Sequence, residues 1–282
     1  MTPGFAKPRA DLPWLYYPRN DRVIINAHNF TPATPFSPLD VGVSLWLDAS
    51  DASTLYDATS GGSLVAADGT VARWEDKSGN VNHATQGTSG SRPTRKTSIQ
   101  NALDILRFDG GDHLAGAANA TSGNPKTVVA LCKSSNAAGG IVWTSRTSGR
   151  AFLARTLRSG SSFISGDTTV TNVTTTLDIT TPMQSFFLQS WRSPSGLTIE
   201  YRANGAAQST SGTILSDTGA TGYRVGIAST LIQPWPGDIA EICVIDSYAT
   251  TADVEKLEGY LAHKWGTTAD LDASHPYKSV AP

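Results

Sequence analysis

Residues 237–266 read GDIAEICVIDSYATTADVEKLEGYLAHKWG, a strand that runs straight into an amphipathic helix. In the strand, Ile239, Glu241, Cys243 and Ile245 alternate with Asp238, Ala240, Ile242 and Val244. Both faces are largely apolar, which predicts a strand covered on both sides rather than an open edge. Thr250 or Thr251 supplies a helix N-cap, and Asp253 and Glu255 fall in the first turn, where free backbone N–H groups favour negative charge. Val254, Leu257, Leu261 and Trp265 recur at helical spacing as one stripe, and Gly266 follows as the stop.

Upstream of this pair the pattern is strands and turns. VSLWLDA (43–49), TVARWED (70–76), DILRFDG (104–110), KTVVALCK (126–133), GGIVWTS, RAFLART, SSFISG, SFFLQSWR (185–192), LTIEYRANG (197–205) and GYRVGIAS (222–229) each read as a short strand bounded by Gly, Ser, Asn or Asp. Asn204-Gly205 is a type I′ hairpin signal. About a dozen short strands at this spacing predict an all-β sandwich of two antiparallel sheets. A chain of 282 residues is long enough to bury a real core. The formal net charge of −2 gives no reason to expect a nucleic-acid face. No apolar run reaches the roughly 18 residues of a membrane span, and the first residues hold no apolar core of a secretion signal.

Residues 1–40 form a separate segment, holding seven of the fifteen prolines. Proline fixes φ and removes a donor, so the segment is predicted to be an extended arm without its own sheet. It also carries Phe5, Trp14, Leu15, Tyr16, Tyr17, Ile24, Phe30 and Phe36, which an arm cannot bury alone. They are expected to dock on the sandwich or, preferably, on another subunit. Residues 41–266 make the sandwich, with a helix at about 251–265. Residues 267–282 are a short polar tail that wraps back or ends free.

The last strand and helix, with LWLDASDASTL (45–55), RWEDKSGNVNHATQ (73–86) and LRFDGGDHL (106–114), resemble laminin-G-like domains of the concanavalin A-like lectin/glucanase superfamily. The form resembled is one common in bacterial surface proteins and bacteriophage virion proteins. The four motifs follow the family's order. The resemblance implies a jelly-roll β-sandwich, and its members differ widely in function.

Because relatives include glucanases, catalysis is the first possibility to test. A retaining glucanase needs two carboxyl groups about 5 Å apart, commonly as ExDxxE on one strand face. The glutamates here are Glu75, Glu200, Glu241, Glu255 and Glu258, and no ExDxxE occurs. Glu241 and Asp246 are five residues apart and point to opposite faces, while Glu255 and Glu258 are expected in solvent on the helix. No GxSxG, HExxH or CxxC occurs, and no two glycines lie two apart, which excludes GxGxxG. The remaining route is a serine–histidine–aspartate site assembled only in space, which nothing in the sequence recommends. Cys132 and Cys243 lie in apolar strands and read as buried free thiols. Most tryptophans also fall in apolar strands and read as core, with Trp235 in a Pro-flanked loop as the exception.

Oxygen-rich turns at strand ends, with Asp48 and Asp51, Asp76 and Asn80, and Asp109 and Asp112, are the candidates for a rim Ca²⁺ site. The competing reading is that they cap turns through Asx hydrogen bonds. No other cofactor is expected. The function expected from this sequence is that of a non-enzymatic virion structural protein of a tailed phage. It would decorate the head or attach to the tail, assemble in the host cytoplasm, and be held by its arm to capsid or tail subunits and to copies of itself, such as a trimer. The alternative is a lectin-like module for host-surface glycans, and the third is a glycoside hydrolase.

Overall fold

The structure is a computed structural model, and it describes residues 34–117, 126–135, 140–145, 153–156, 161–163, 173–174, 185–193, 200–208, 222–227, 231 and 233–282. The chain divides into two units, Met1–Pro35 and Phe36–Pro282. Seven of the eight arm aromatic and aliphatic residues, Phe5 to Phe30, lie outside the described residues. The second unit holds both sheets and the helix.

The two sheets are antiparallel; strands are numbered in chain order. The first sheet runs β15 (Ala206–Gln208), β14 (Glu200–Ala203), β13 (Phe187–Ser193), β8 (Lys126–Ser134), β17 (Pro236–Ile245), β6 (Leu103–Asp109) and β5 (Thr94–Gln100), with β1 (Leu45–Asp48) also paired to β17. The second runs β12 (Val173–Thr174), β11 (Ser161–Phe163), β10 (Leu153–Thr156), β9 (Gly140–Thr144), β16 (Tyr223–Val225), β7 (Leu114–Gly116), β4 (Ala84–Thr85), β3 (Arg73–Trp74) and β2 (Leu55–Tyr56). The predicted two-sheet sandwich is the observed architecture.

The alternation in β17 explains its place. Ile242 and Val244 point into the core between the sheets, while Cys243 and Ile245 point into a second apolar layer. That layer packs β8 and β13 against α1 (Thr251–Trp265) through Val254, Leu257, Leu261 and Trp265. A strand buried on both faces must be apolar on both, and β17 pairs with β8, β6 and β1. Thr250 caps the helix, its hydroxyl accepting from Asp253 N at 3.1 Å, and Gly266 ends it at φ 69°. The inter-sheet core gathers Trp74, Trp143, Trp191 and Trp235. Trp235 is therefore a core residue although its segment reads as a loop. Both cysteines are buried and free, and burial pushes Cys132 up to about 12, so its thiol stays protonated.

Two sequence expectations shift. TVARWED contracts to β3 because Asp76 leaves the ladder to form an Asx turn with Ser78. Thr94–Gln100, polar and without apolar alternation, is a strand the pattern did not show. It sits at the sheet edge, broken by a register shift between Lys96 and Gln100.

The tail docks on its own domain. Asp272 N donates to Asn204 O at 2.8 Å, and Tyr277 lies against Gly259 of α1. Asn204 and Gly205, at φ 46° and 80°, make the two-residue hairpin turn that the sequence predicted. A Cβ on Gly205 would stand 2.5 Å from the His275 ring, so the turn needs glycine for packing as well as for φ. Among the described residues no helix is long and apolar enough to cross a membrane.

Candidate functional site

Alternation in the second sheet sends Leu55, Trp74, Ala84, Leu114, Val225 and Trp143 into the core. Their neighbours therefore face outward. The register aligns those neighbours as one row: Tyr56 opposite Arg73, Arg73 opposite Thr85, Thr85 opposite Ala115, Ala115 opposite Arg224, and Arg224 opposite Thr144. Tyr56, Thr85, Ala115 and Arg224 are half-buried, while Arg73 is only 8% exposed.

The row is ordered from within. The Arg73 guanidinium lies 4.0 Å from the centre of the Tyr56 ring. Its Nε donates to Glu75 Oε1 at 3.0 Å and its Nη1 to Ala58 O at 3.2 Å, which fixes both planes. Thr85 Oγ1 donates to Ala115 O at 3.3 Å. Burial pulls the Arg224 pKa down from the usual arginine value. At the row's flank Gln86 Nε2 lies 3.0 Å from His113 Nε2, and burial, with Arg224 nearby, lowers the His113 pKa. Thr144 Oγ1 is buried without a hydrogen-bond partner. The outward set is thus an aromatic ring, guanidinium groups and hydroxyls around a small alanine. Such groups recognise ring C–H faces and hydroxyls.

The calcium candidates have the following partners. Lys77 Nζ lies 2.9 Å from both Asp48 and Asp51, and Lys264 Nζ 2.7 Å from Asp48. Burial pushes Asp48 up, but Lys264 and Lys77 outweigh it and hold its carboxyl below the usual range. Asp76 accepts from Trp46 N, Ser78 N and Asn82 N at 2.8–3.1 Å. Asn80 Nδ2 donates to Ser44 O at 3.1 Å. Asp109 and Asp112 form a separate turn, with Asp112 Oδ2 accepting from Asp109 N at 2.9 Å. Burial, with Asp109 beside it, raises Asp112 to about 6. These oxygens cap turns or meet lysines, and among the described residues no group of three or more acidic, histidine or cysteine side chains is disposed to hold a metal. Phe36, the arm residue within the described set, packs edge-on against Tyr260 of its own helix at 6.0 Å.

The helix face corrects one expectation: Glu258 is not solvated but fully buried. Its carboxylate accepts from Ser190 Oγ at 2.7 Å and Arg202 Nε at 3.0 Å, and lies 3.2 Å from His275 Nε2. These partners outweigh burial and hold its pKa below the usual range. A serine, a histidine and an acid do meet here, but the acid stands between the other two. The imidazole cannot take the serine proton, so this is not a nucleophilic site. Glu241, also fully buried, accepts from Trp46 Nε1 and Trp265 Nε1 at 2.7 Å, from Tyr260 OH at 3.1 Å and from Lys264 Nζ at 2.6 Å. Burial and the neighbouring Asp48 raise its pKa.

No protein-family model matches the chain, and no curated protein matches its sequence. Solved structures do match. Domain 4 of AbnA, a GH43 extracellular arabinanase from Geobacillus stearothermophilus solved with arabinotriose, is similar at a TM-score of 0.56 and 14% identity, over 75% of this chain and 96% of that one. The shared feature is the fold, a two-sheet antiparallel β-sandwich. A GH54 α-L-arabinofuranosidase is similar at 0.55 and 11% identity, over 82% of this chain and 66% of its own. The binding domain of botulinum neurotoxin serotype D is similar at 0.51 and 11% identity, over 79% of this chain and 52% of its own. The chain thus spans about half to two thirds of the latter two proteins.

Proposed function

We propose that this domain is a non-enzymatic carbohydrate-binding module that uses the outer face of its second sheet. The observation that carries the reading is the aligned row of Tyr56, Arg73, Thr85, Ala115 and Arg224, with rigidly held planar groups and hydroxyls facing outward. A fold shared with an arabinanase domain that holds arabinotriose and with a neurotoxin binding domain supports it. The virion reading rests on the proline-rich arm and on the family resemblance, and the three structural neighbours are not virion components. A place on a particle is a separate proposal, tested by searching purified phage for the chain.

The test is calorimetric titration of the full chain with arabinotriose, alongside a glycan array. Binding is expected, unchanged by EDTA, and weakened at least about tenfold in Tyr56→Ala, a loss of roughly 1.4 kcal/mol. Failure to bind any glycan would overturn the reading. Release of reducing ends from any polysaccharide would overturn its non-enzymatic part.

A further inference from the structure

We propose that the ligand is a linear oligosaccharide lying across the strands, its middle unit over Ala115; this rests on the carbohydrate-binding reading above. The row is a line at right angles to the strands, because each residue stands directly opposite the next in the register. Adjacent strands lie about 4.8 Å apart, so Arg73 and Arg224, three strand steps apart, are separated by roughly 14 Å. That is the length of a short extended saccharide of about three rings.

The relief along the line suits such a chain. Ala115, the smallest side chain of the row, lies between Thr85 and Arg224, so the middle is a floor. Tyr56 and Arg73 stand as a packed pair at one end, and Arg224 stands at the other. Beyond Arg224 comes Thr144, which is fully buried, so the accessible line ends at Arg224. A single terminal sugar would instead be held by loops at the sandwich rim. The turns that would do this, around Asp48, Asp76 and Asp109, already spend their carboxylates on their own backbone, hydroxyls and lysines.

The experiment titrates the full chain with arabinose, arabinobiose, arabinotriose and longer arabino-oligosaccharides. Affinity is expected to climb at least about tenfold from the monosaccharide to the trisaccharide and then to level off within about twofold. Ala115→Phe, which fills the floor from an outward strand position, is expected to weaken arabinotriose at least about tenfold with an unchanged thermal midpoint. Ala115→Ser should stay within about twofold of the parent. Length-independent binding of the parent chain would overturn the linear-chain proposal while leaving the carbohydrate reading standing, and this holds whether or not the phenylalanine variant folds. Full binding by a folded Ala115→Phe would overturn the assignment to this row. No binding by any member of the series, nor by any glycan of the array, would overturn both.

Discussion

Beneath α1, the outer face of the first sheet carries Ser190, Arg202 and Glu241 and receives Glu258 from the helix. The outer face of the second sheet carries Tyr56, Thr85, Ala115 and Arg224, with no helix over them among the described residues. Both faces come from the same alternation of short strands, and both are rich in polar groups. On the first, Glu241 takes four donors and Glu258 takes Ser190, Arg202 and His275, so their hydrogen-bonding capacity is used internally. A buried carboxylate must be matched in this way or its desolvation goes unanswered. On the second, the same kinds of group keep part of their surface. Burial and partner geometry, not residue type, separate the face whose polar groups are consumed inside the fold from the face whose polar groups stay partly exposed.

The sharpest break between the faces is expected at Glu258. Glu258→Ala leaves Arg202 and His275 under the helix without their acid, and should cost about 3–5 kcal/mol in urea unfolding. Tyr56→Ala should cost no more than about 1 kcal/mol, since its side chain is half-exposed. Equal losses would dissolve the comparison. Removing the tail after Gly266 takes away the His275 contact to Glu258, the Asp272 N to Asn204 O hydrogen bond, the buried Leu271 and the cover over Gly259, so a loss of about 3–5 kcal/mol is expected, comparable with that of Glu258→Ala.

Asp112, at the rim turn, gives a pH test. Its folded pKa of about 6 lies above the ordinary 3.8, so its stabilising contribution is complete below about pH 4 and is lost as pH rises through about 6. Asp112→Asn should therefore gain roughly 2–3 kcal/mol at pH 7, nothing near pH 3, and flatten the stability profile between. The smallest expected effect on stability is Arg224→Ala, within about 1 kcal/mol by thermal melting. Its loss of arabinotriose binding would then be one of recognition rather than folding.

Much of the fold was legible. The two-faced apolar pattern of 237–245, the Thr250 cap, the helical stripe and the Gly266 stop each obey a local rule, and each is observed. The edge strand Thr94–Gln100 was not, because a strand exposed along an edge needs no apolar alternation. Glu258 had a signal: it stands four residues after Val254 and three before Leu261, on the same stripe as the buried apolar residues. A charge on that stripe has to find a partner, and the partners come from β13, β14 and the tail.

The candidate binding row was invisible for a different reason. Its members are scattered from Tyr56 to Arg224 in single outward positions of two- and three-residue strands. The sequence by itself determined that this chain makes a covered final strand, a capped helix and many short strands, since these follow from periodicity and backbone chemistry over a few residues. Only the tertiary structure decided which outward residues stand side by side and which polar groups are consumed, because strand order and register are set by long-range pairing that no local pattern encodes.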